Sequence, residues 1–351
     1  HVDPTAMRLL ENVSGIDPKT IPMNDPETMS LFSSSEALHL DTRVYSAETG
    51  ALGLPEFGTK ITRGVLEQTR PKNFRDLVII SGLTHGTDVW AGNASELVAQ
   101  GIPLDEVIGC RDDIMTYLIS KELESVVAFT IMESVRKGKG LKPEWEDTMR
   151  EHNVPEWYIE SCKKIKYMFP KAHAVAYVLM AVRIAWFKVH LPHYFYIQFL
   201  TLRCDAYEIE TMSKGIEAIQ SRMTDIQSRM NNRNVENPAS QKEKWLYDTL
   251  EVCLEIYARG YRISNVDLYK SKATQFSVIK GEEKVIIPPF NILDGLGDNV
   301  ARSIEKAREE GEFLSKEDLK NRTQLSDTLI KKLDSLGCLK DLQERNQISL
   351  F

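Results

Sequence analysis

The sequence predicts a mainly α protein: a long helical region, then a smaller α+β region, then a short flexible tail. Three observations carry this reading. Apolar residues recur at helical spacing through most of the chain, punctuated by Asp-Pro starts and Gly or Pro stops. Only residues 275–279 and 284–287, either side of Lys280-Gly281-Glu282-Glu283, read as strands, and they read as one small hairpin. After Asp341 the chain is polar until it closes on Gln347-Ile348-Ser349-Leu350-Phe351.

The elements follow in order. Residues 4–50 read as short helices and Asp/Pro turns, and 53–59 as a Gly/Pro loop. Helices are expected over 61–69, 74–82 and 93–99, with the polar loop Thr84-His85-Gly86-Thr87-Asp88 before the last. Two more span 111–122 and 125–137, and Gly138-Lys139-Gly140 breaks the chain. A long helix runs from near Pro170 to about His190, where Leu191-Pro192-His193 stops it, because proline cannot continue the hydrogen-bond ladder. Helix continues over 194–231. There Ser221-Arg222-Met223 and Ser228-Arg229-Met230 stand seven apart, either as one helix face or by chance. Residues 231–242 read as a loop and 243–258 as a helix. A Gly-turn-Gly at 295–297 leads into two short helices.

A length of 351 residues allows about two or three domains. The net charge of −7 confines any nucleic-acid surface to a local patch. Cys110, Cys162, Cys204, Cys253 and Cys338 form no C-x-x-C pair, which argues against a zinc ribbon or disulfide framework and fits a reducing cytosol. With no apolar run of about 18 residues and no signal peptide, no membrane partner is expected and the localisation predicted is cytoplasmic. The start at His1, opening at once into Asp3-Pro4-Thr5 and a helix, reads as a cut from a longer polypeptide.

Four local signals point to chemistry. From Ser161 to His190 there are six cations, Lys163, Lys164, Lys166, Lys171, Arg183 and Lys188, and no carboxylate. This is either a solvated helix surface or a phosphate-facing stripe. On the long helix, Val175, Val178, Leu179, Val182, Trp186 and Val189 share the core face. His173, Tyr177, Ile184 and Lys188 fall opposite, placed for a ligand or for a second packing surface.

Arg136-Lys137-Gly138-Lys139-Gly140 is the second signal. Glycines beside cations let a backbone approach phosphates, although basic Gly turns are also common at helix ends. Arg111-Asp112-Asp113 reads as a helix N-terminus better than as a metal site. No D-x-D occurs, and no catalytic or metal-ligating set emerges.

The third signal, Ile292–Ala301, carries Gly295, Gly297, Asp298 and Asn299 in the pattern of a helix-hairpin-helix element over about 287–311. Its turn amides and following helix N-terminus can hold a DNA phosphate without reading sequence. Leu336-Gly337-Cys338 marks a degenerate second copy that packs. The tail is the fourth signal: Leu350 and Phe351 suit an apolar pocket, and the Gln347 amide adds directional hydrogen bonds.

In this order the signals resemble the C-terminal third of the bacterial DNA polymerase III alpha subunit of the PolC type. The resemblance is carried by Ser14–Pro22, Pro55-Glu56-Phe57-Gly58, His85–Trp90, Ile108–Met115, Met132–Gly140 and above all Lys166–Tyr177. It implies a helical polymerase fingers domain over 1–205, a duplex-binding region over 206–340 and a sliding-clamp-binding tail over 341–351.

It further implies that Arg111, Arg136, Lys137, Lys139, Lys171, His173 and Tyr177 line an incoming dNTP. Lys163, Lys164, Lys166 and Lys188 would face primer-template DNA together with the turn Gly295, Gly297, Asp298 and Asn299. Gln347, Ile348, Ser349, Leu350 and Phe351 would engage the beta sliding clamp, and other replisome subunits are implied partners. The family's Mg2+ ions are held by palm aspartates, which with the exonuclease would lie upstream. The intact protein would then be a DNA-directed DNA polymerase and this chain inactive alone. The residues by themselves also leave open a non-catalytic DNA-binding adaptor tethered to the clamp.

Overall fold

The computed structural model describes residues 4–231 and 236–345. Their chain forms two compact units, the first built mainly from 15–38 and 47–190, the second from 39–46 and the chain after 190.

The first unit is helical: α1 (Pro4–Ser14), α2 (Pro26–Ser30), α3 (Lys60–Thr69), α4 (Phe74–His85), α5 (Ser95–Ala99), α6 (Arg111–Ser120), α7 (Ser125–Arg136), α8 (Pro143–Glu151), α9 (Glu156–Lys164) and α10 (Lys171–His190). The starts follow the residues that supply an early side-chain acceptor. Asp25 accepts from Thr28 N at 3.0 Å, and Asn73 accepts from Asp76 N at 3.0 Å. The core gathers Ile108, Ile114, Leu118, Ile131, Val135, Ile159 and Ile165, all buried. Each such side chain contributes roughly 1.5–3 kcal/mol of burial.

The helix α10 has the expected bounds, but the two-faced reading of it holds only at its start. His173 is exposed and Tyr177 half-buried, while Val178 is buried. Further along, Ile184 and Lys188, expected on the outward face, are fully buried. The reason is tertiary: α4 and α2 both pack along this helix, so its second half is enclosed. By length and composition α10 could cross a membrane, a signal missed because cations interrupt the apolar run. Its burial within the unit is that of a core helix.

Lys188 is therefore corrected as a DNA contact. Its ammonium donates to the Gly50 carbonyl at 2.8 Å and the Leu52 carbonyl at 2.6 Å, and its exposure is 0%. It ties α10 to the Gly50–Leu52 backbone.

The second unit holds α11 (Pro192–Leu202), α12 (Ile209–Met212), α13 (Ile216–Asn231), α14 (Gln241–Ala258), β1 (Arg262–Ile263), β2 (Val285–Ile286), α15 (Asp298–Glu309), α16 (Lys316–Arg322) and α17 (Asp327–Ser335). Helix is not continuous over 194–231. It breaks after Leu202, where the Tyr207 hydroxyl donates back to the Leu200 carbonyl at 2.5 Å. The expected hairpin is also replaced. β2 pairs in parallel with β1, Arg262 opposite Val285 and Ile263 opposite Ile286. The run 275–279 contributes only the antiparallel bridge Ser277–Ile287. Phe276 is drawn elsewhere, buried beside Tyr207, with its amide on the Thr201 hydroxyl.

The seven-residue near-repeat on α13 acquires a structural role. Arg222 and Arg229 both reach Asp225 and Glu243, and Arg222 also holds Glu208 at 3.1 Å. Arg229 and the Ser240 amide hold the Glu243 carboxyl down to about 2. Glu243 in turn closes the capping box of α14 with Ser240. All five cysteines are free thiols.

Candidate nucleotide and nucleic-acid site

Two helix N-termini meet in the first unit, and the carboxylates of one cap the other. Asp113, in the first turn of α6, accepts from the Cys110 amide at 2.7 Å and from the Lys171 ammonium at 2.9 Å. Its neighbour Asp112 accepts from the Lys171 amide at 2.8 Å, which caps α10. The Arg111 amide donates to the Phe169 carbonyl at 3.2 Å, and its guanidinium lies 3.9 Å from Asp112. These aspartates thus serve helix ends. The Asp113 carboxylate raises the Lys171 ammonium above its ordinary pKa, so Lys171 is a cation with a partner already in place.

Beside this junction stands an aromatic wall. His85 stacks on Phe169 at 5.0 Å and lies parallel to Tyr177 at 6.2 Å, while Phe169 also meets Tyr177 at 5.8 Å and His173 at 5.9 Å. The backbone of Thr87 bridges to Tyr167, with Thr87 N donating to Tyr167 O at 2.9 Å. Gly86 permits that approach, since a Cβ there would meet Tyr167 O at 2.8 Å.

The basic Gly loop closes on the same segment. Gly138 has φ +69°, and a Cβ on it would stand 2.5 Å from Lys166 O. The Ser134 hydroxyl pins the loop by donating to Gly140 O at 2.8 Å. Arg136 and Lys137 share Glu133, whose carboxyl Arg136 and then Lys137 hold at about 2. Lys139 and Lys166 are exposed and, among the described residues, have no ion-pair partner.

Two further lysines of the basic segment are answered from outside it, whereas among the described residues the Arg183 Nε is buried without a hydrogen-bond partner. Lys163 pairs with Glu160 at 2.9 Å and Glu146 at 3.6 Å; Lys164 reaches Gly92 O at 2.9 Å and Glu96 at 3.3 Å. A stripe without acids in sequence is therefore partly neutralised in space. Such exposed pairs are worth about 0–1 kcal/mol and can be exchanged for a phosphate. A neighbouring cavity of about 280 Å³ is lined by Arg75, Lys171, Asp105, Glu106 and Asp113. With three carboxylates to two cations, it suits an anion poorly.

In the second unit the Gly turn is open. Leu293 and Leu296 are buried and anchor it, Gly295 takes φ +87°, and Gly297 precedes α15 with no side chain capping its amides. A Cβ on Gly297 would meet nothing within 4 Å. Asp298 and Asn299 are exposed, and Asp298 accepts from the Asn291 side chain at 3.0 Å. Lys242 pairs with Asp294 at 2.9 Å beside the turn. The second Gly turn is different: Gly337 is flanked by α17 and by buried Leu333 and Leu339, and the Cys338 thiol donates to Val266 O.

The structure thus brings together Arg111, Lys171, His173 and Tyr177, and it brings the loop Arg136–Lys139 against Lys166. His85, Glu56 and Phe169 belong to the same cluster and were missed. Their stretches, Pro55–Gly58, His85–Trp90 and Lys166–Tyr177, carry the family resemblance, but no site role was assigned to these three residues. The tail residues Gln347, Ile348, Ser349, Leu350 and Phe351 lie outside the described residues. Among the described residues no group of three or more His, Cys, Asp or Glu side chains is placed to hold a metal ion.

Residues 3–154 match the bacterial DNA polymerase III alpha subunit finger domain, and 260–348 match a helix-hairpin-helix motif. The chain belongs to the bacterial DNA polymerase III alpha-subunit family. Within that family its whole length is similar to the PolC type. It is 56% identical over 352 residues to DNA polymerase III PolC-type of Oceanobacillus iheyensis and, equally, of Bacillus subtilis. It is 52% identical over 358 residues to that of Streptococcus sanguinis. In each case all of this chain is covered, and it spans 24% of the relative's length.

Proposed function

We propose that this chain is the nucleotide- and DNA-handling part of a replicative DNA-directed DNA polymerase, which joins an incoming dNTP to a primer 3′ end. The observation that carries the reading is the meeting of the basic Gly loop, the Lys166 segment and the aromatic wall in one helical unit. Arg111, Arg136, Lys137, Lys139 and Lys171 offer positive charge to a triphosphate and stabilise charge built up as pyrophosphate leaves. His173 and Tyr177 offer ring faces to the nascent base pair. Lys163 and Lys164 exchange their carboxylates for DNA phosphates, and the exposed Lys166 ammonium joins them there. The division into fingers over 1–205 and a duplex region over 206–340 belongs to this proposal. In that region the open Gly295–Gly297 turn and the first amides of α15 hold a duplex phosphate.

Mg2+ would be held upstream of this chain, as would an exonuclease, and the protein would work in the cytoplasm. The tail tethers the enzyme to the beta sliding clamp among the other replisome subunits, which makes rebinding intramolecular.

The test is single-nucleotide incorporation by the intact polymerase carrying Arg136→Ala or Lys171→Ala. The expected result is a rise of about tenfold in nucleotide KM, the worth of one charge-assisted hydrogen bond, with primer-template affinity little changed. Unchanged incorporation kinetics in both variants would sink the reading.

A further inference from the structure

We propose that His85 is a positioning residue, and that its clamp between Glu56 and the Ser81 carbonyl sets where Tyr177 and Phe169 stand. The inference rests on the reading of that wall as the seat of the nucleotide.

Three features of this corner converge. First, both ring nitrogens of His85 are engaged: Nε2 lies 2.5 Å from Glu56 Oε2, and Nδ1 lies 2.7 Å from the Ser81 carbonyl. A carbonyl only accepts, and a carboxylate beside the other nitrogen accepts as well. The ring then donates from both sides, as an imidazolium facing a carboxylate. The Thr84 hydroxyl, 3.3 Å from Nδ1, adds no charge. Two opposed bonds fix the ring plane, which a single bond would leave free to swing.

Second, that plane is the one the wall uses. It lies 6° from the plane of Tyr177 and 25° from that of Phe169. Third, the arm that supplies Glu56 is held in an unfavourable conformation. Glu56 has φ +65°, in the left-handed region where a non-glycine residue costs roughly 1–2 kcal/mol. The neighbouring Phe57 is fully buried against Phe32 at 5.1 Å. Gly58 admits no side chain, since a Cβ would meet Leu54 O at 2.7 Å. The strained turn delivers a carboxylate to one nitrogen of one ring.

His85 lies parallel to Tyr177 at 6.2 Å and is proposed to act through that ring. Its effect is on orientation, which predicts a signature in KM with kcat nearly preserved. The experiment measures nucleotide KM, kcat and primer-template Kd for the intact polymerase, with Tyr177→Ala as reference. We expect Tyr177→Ala and His85→Ala each to raise KM about tenfold, with kcat and Kd within about twofold, and the double variant to be no worse than either alone. His85→Gln, whose amide N–H can still donate to Glu56 but whose oxygen cannot donate to the Ser81 carbonyl, recovers only part of the loss. Glu56→Gln keeps the shape and removes the charge, and raises KM about threefold even where His85→Ala fails to fold.

If Tyr177→Ala raises KM but Glu56→Gln and the foldable His85 variants leave it unchanged, the positioning role is overturned and the nucleotide reading survives. Additive losses in the double variant overturn it too. If Tyr177→Ala itself leaves KM unchanged, the nucleotide reading fails first.

Discussion

In the first unit the groups offered to a phosphate are side-chain cations, most of which already hold a carboxylate. In the second unit they are backbone amides at an open turn and helix start, which no side chain caps among the described residues. Lys171 is paired with Asp113, Lys163 with Glu160, Lys164 with Glu96, and Arg136 and Lys137 with Glu133. Gly297, by contrast, faces open space, and α15 begins without a side-chain cap. Paired cations can exchange one anion for another at small cost and stay ordered meanwhile. A turn of amides needs only shape, and gives no preference among sequences.

Several measurements test this contrast, and the largest effect is expected outside both groups, at the end of the chain. Deleting 347–351 should leave synthesis on short primers intact and cut clamp-dependent synthesis about 100-fold, the scale of a lost tether. Equal loss in both assays would remove the tether.

Lys188→Ala comes next. It strands two buried carbonyls, Gly50 and Leu52, and leaves a cavity. A loss on the order of 3 kcal/mol is expected in denaturant unfolding, unlike at any exposed cation of the same segment. If the chain tolerates it, Lys188 is not the tie described.

The two turn glycines should then separate stability from binding. Gly295→Ala forces a side chain into φ +87° and should cost about 1 kcal/mol of stability. Gly297→Ala meets no atom in the fold, so stability should hold while duplex affinity falls about threefold as phosphate approach is obstructed. Intact duplex binding in Gly297→Ala would move the phosphate elsewhere.

The smallest effect belongs to Lys166→Ala. As an unpaired cation it should lower the slope of log K against log salt by about one, with no change in fold. Lys163→Ala, already paired, should lower it less. Equal slopes would erase the distinction between paired and free cations.

Much of this was legible in the residue string. The helix from Lys171 to His190 announces itself by an Ala-rich run closed by Pro192. Asp112 and Asp113 read correctly as first-turn residues, because carboxylates favour the positive end of a helix. The Gly295–Gly297 turn was readable because a positive φ and an open approach both call for glycine. What was not legible lies where distant segments meet. A basic stretch free of acids in sequence is answered by Glu96, Glu146 and Asp113 from three other helices. Lys188 falls on the outward face of an ideal wheel, yet α4 and α2 enclose that face. The strands followed the same rule: residues 284–287 looked local to 275–279, but Ile286 found Ile263 instead.

Readable from the residues alone were the helices over 60–136 and 171–190, the two Gly turns and the family resemblance, while α8 and α9 were not foreseen and the breaks between α11, α12 and α13 were missed. The readable features depend on backbone preferences and on spacing within about one or two turns of chain. Packing in three dimensions set which cations stand unpaired among the described residues, which lysine is buried, and that His85, Glu56, Phe169 and Tyr177 form one wall. Those facts depend on which carboxylate or ring arrives from elsewhere in the chain. Hydrogen bonds and ring stacking act over a few ångströms of space, whatever the separation in sequence.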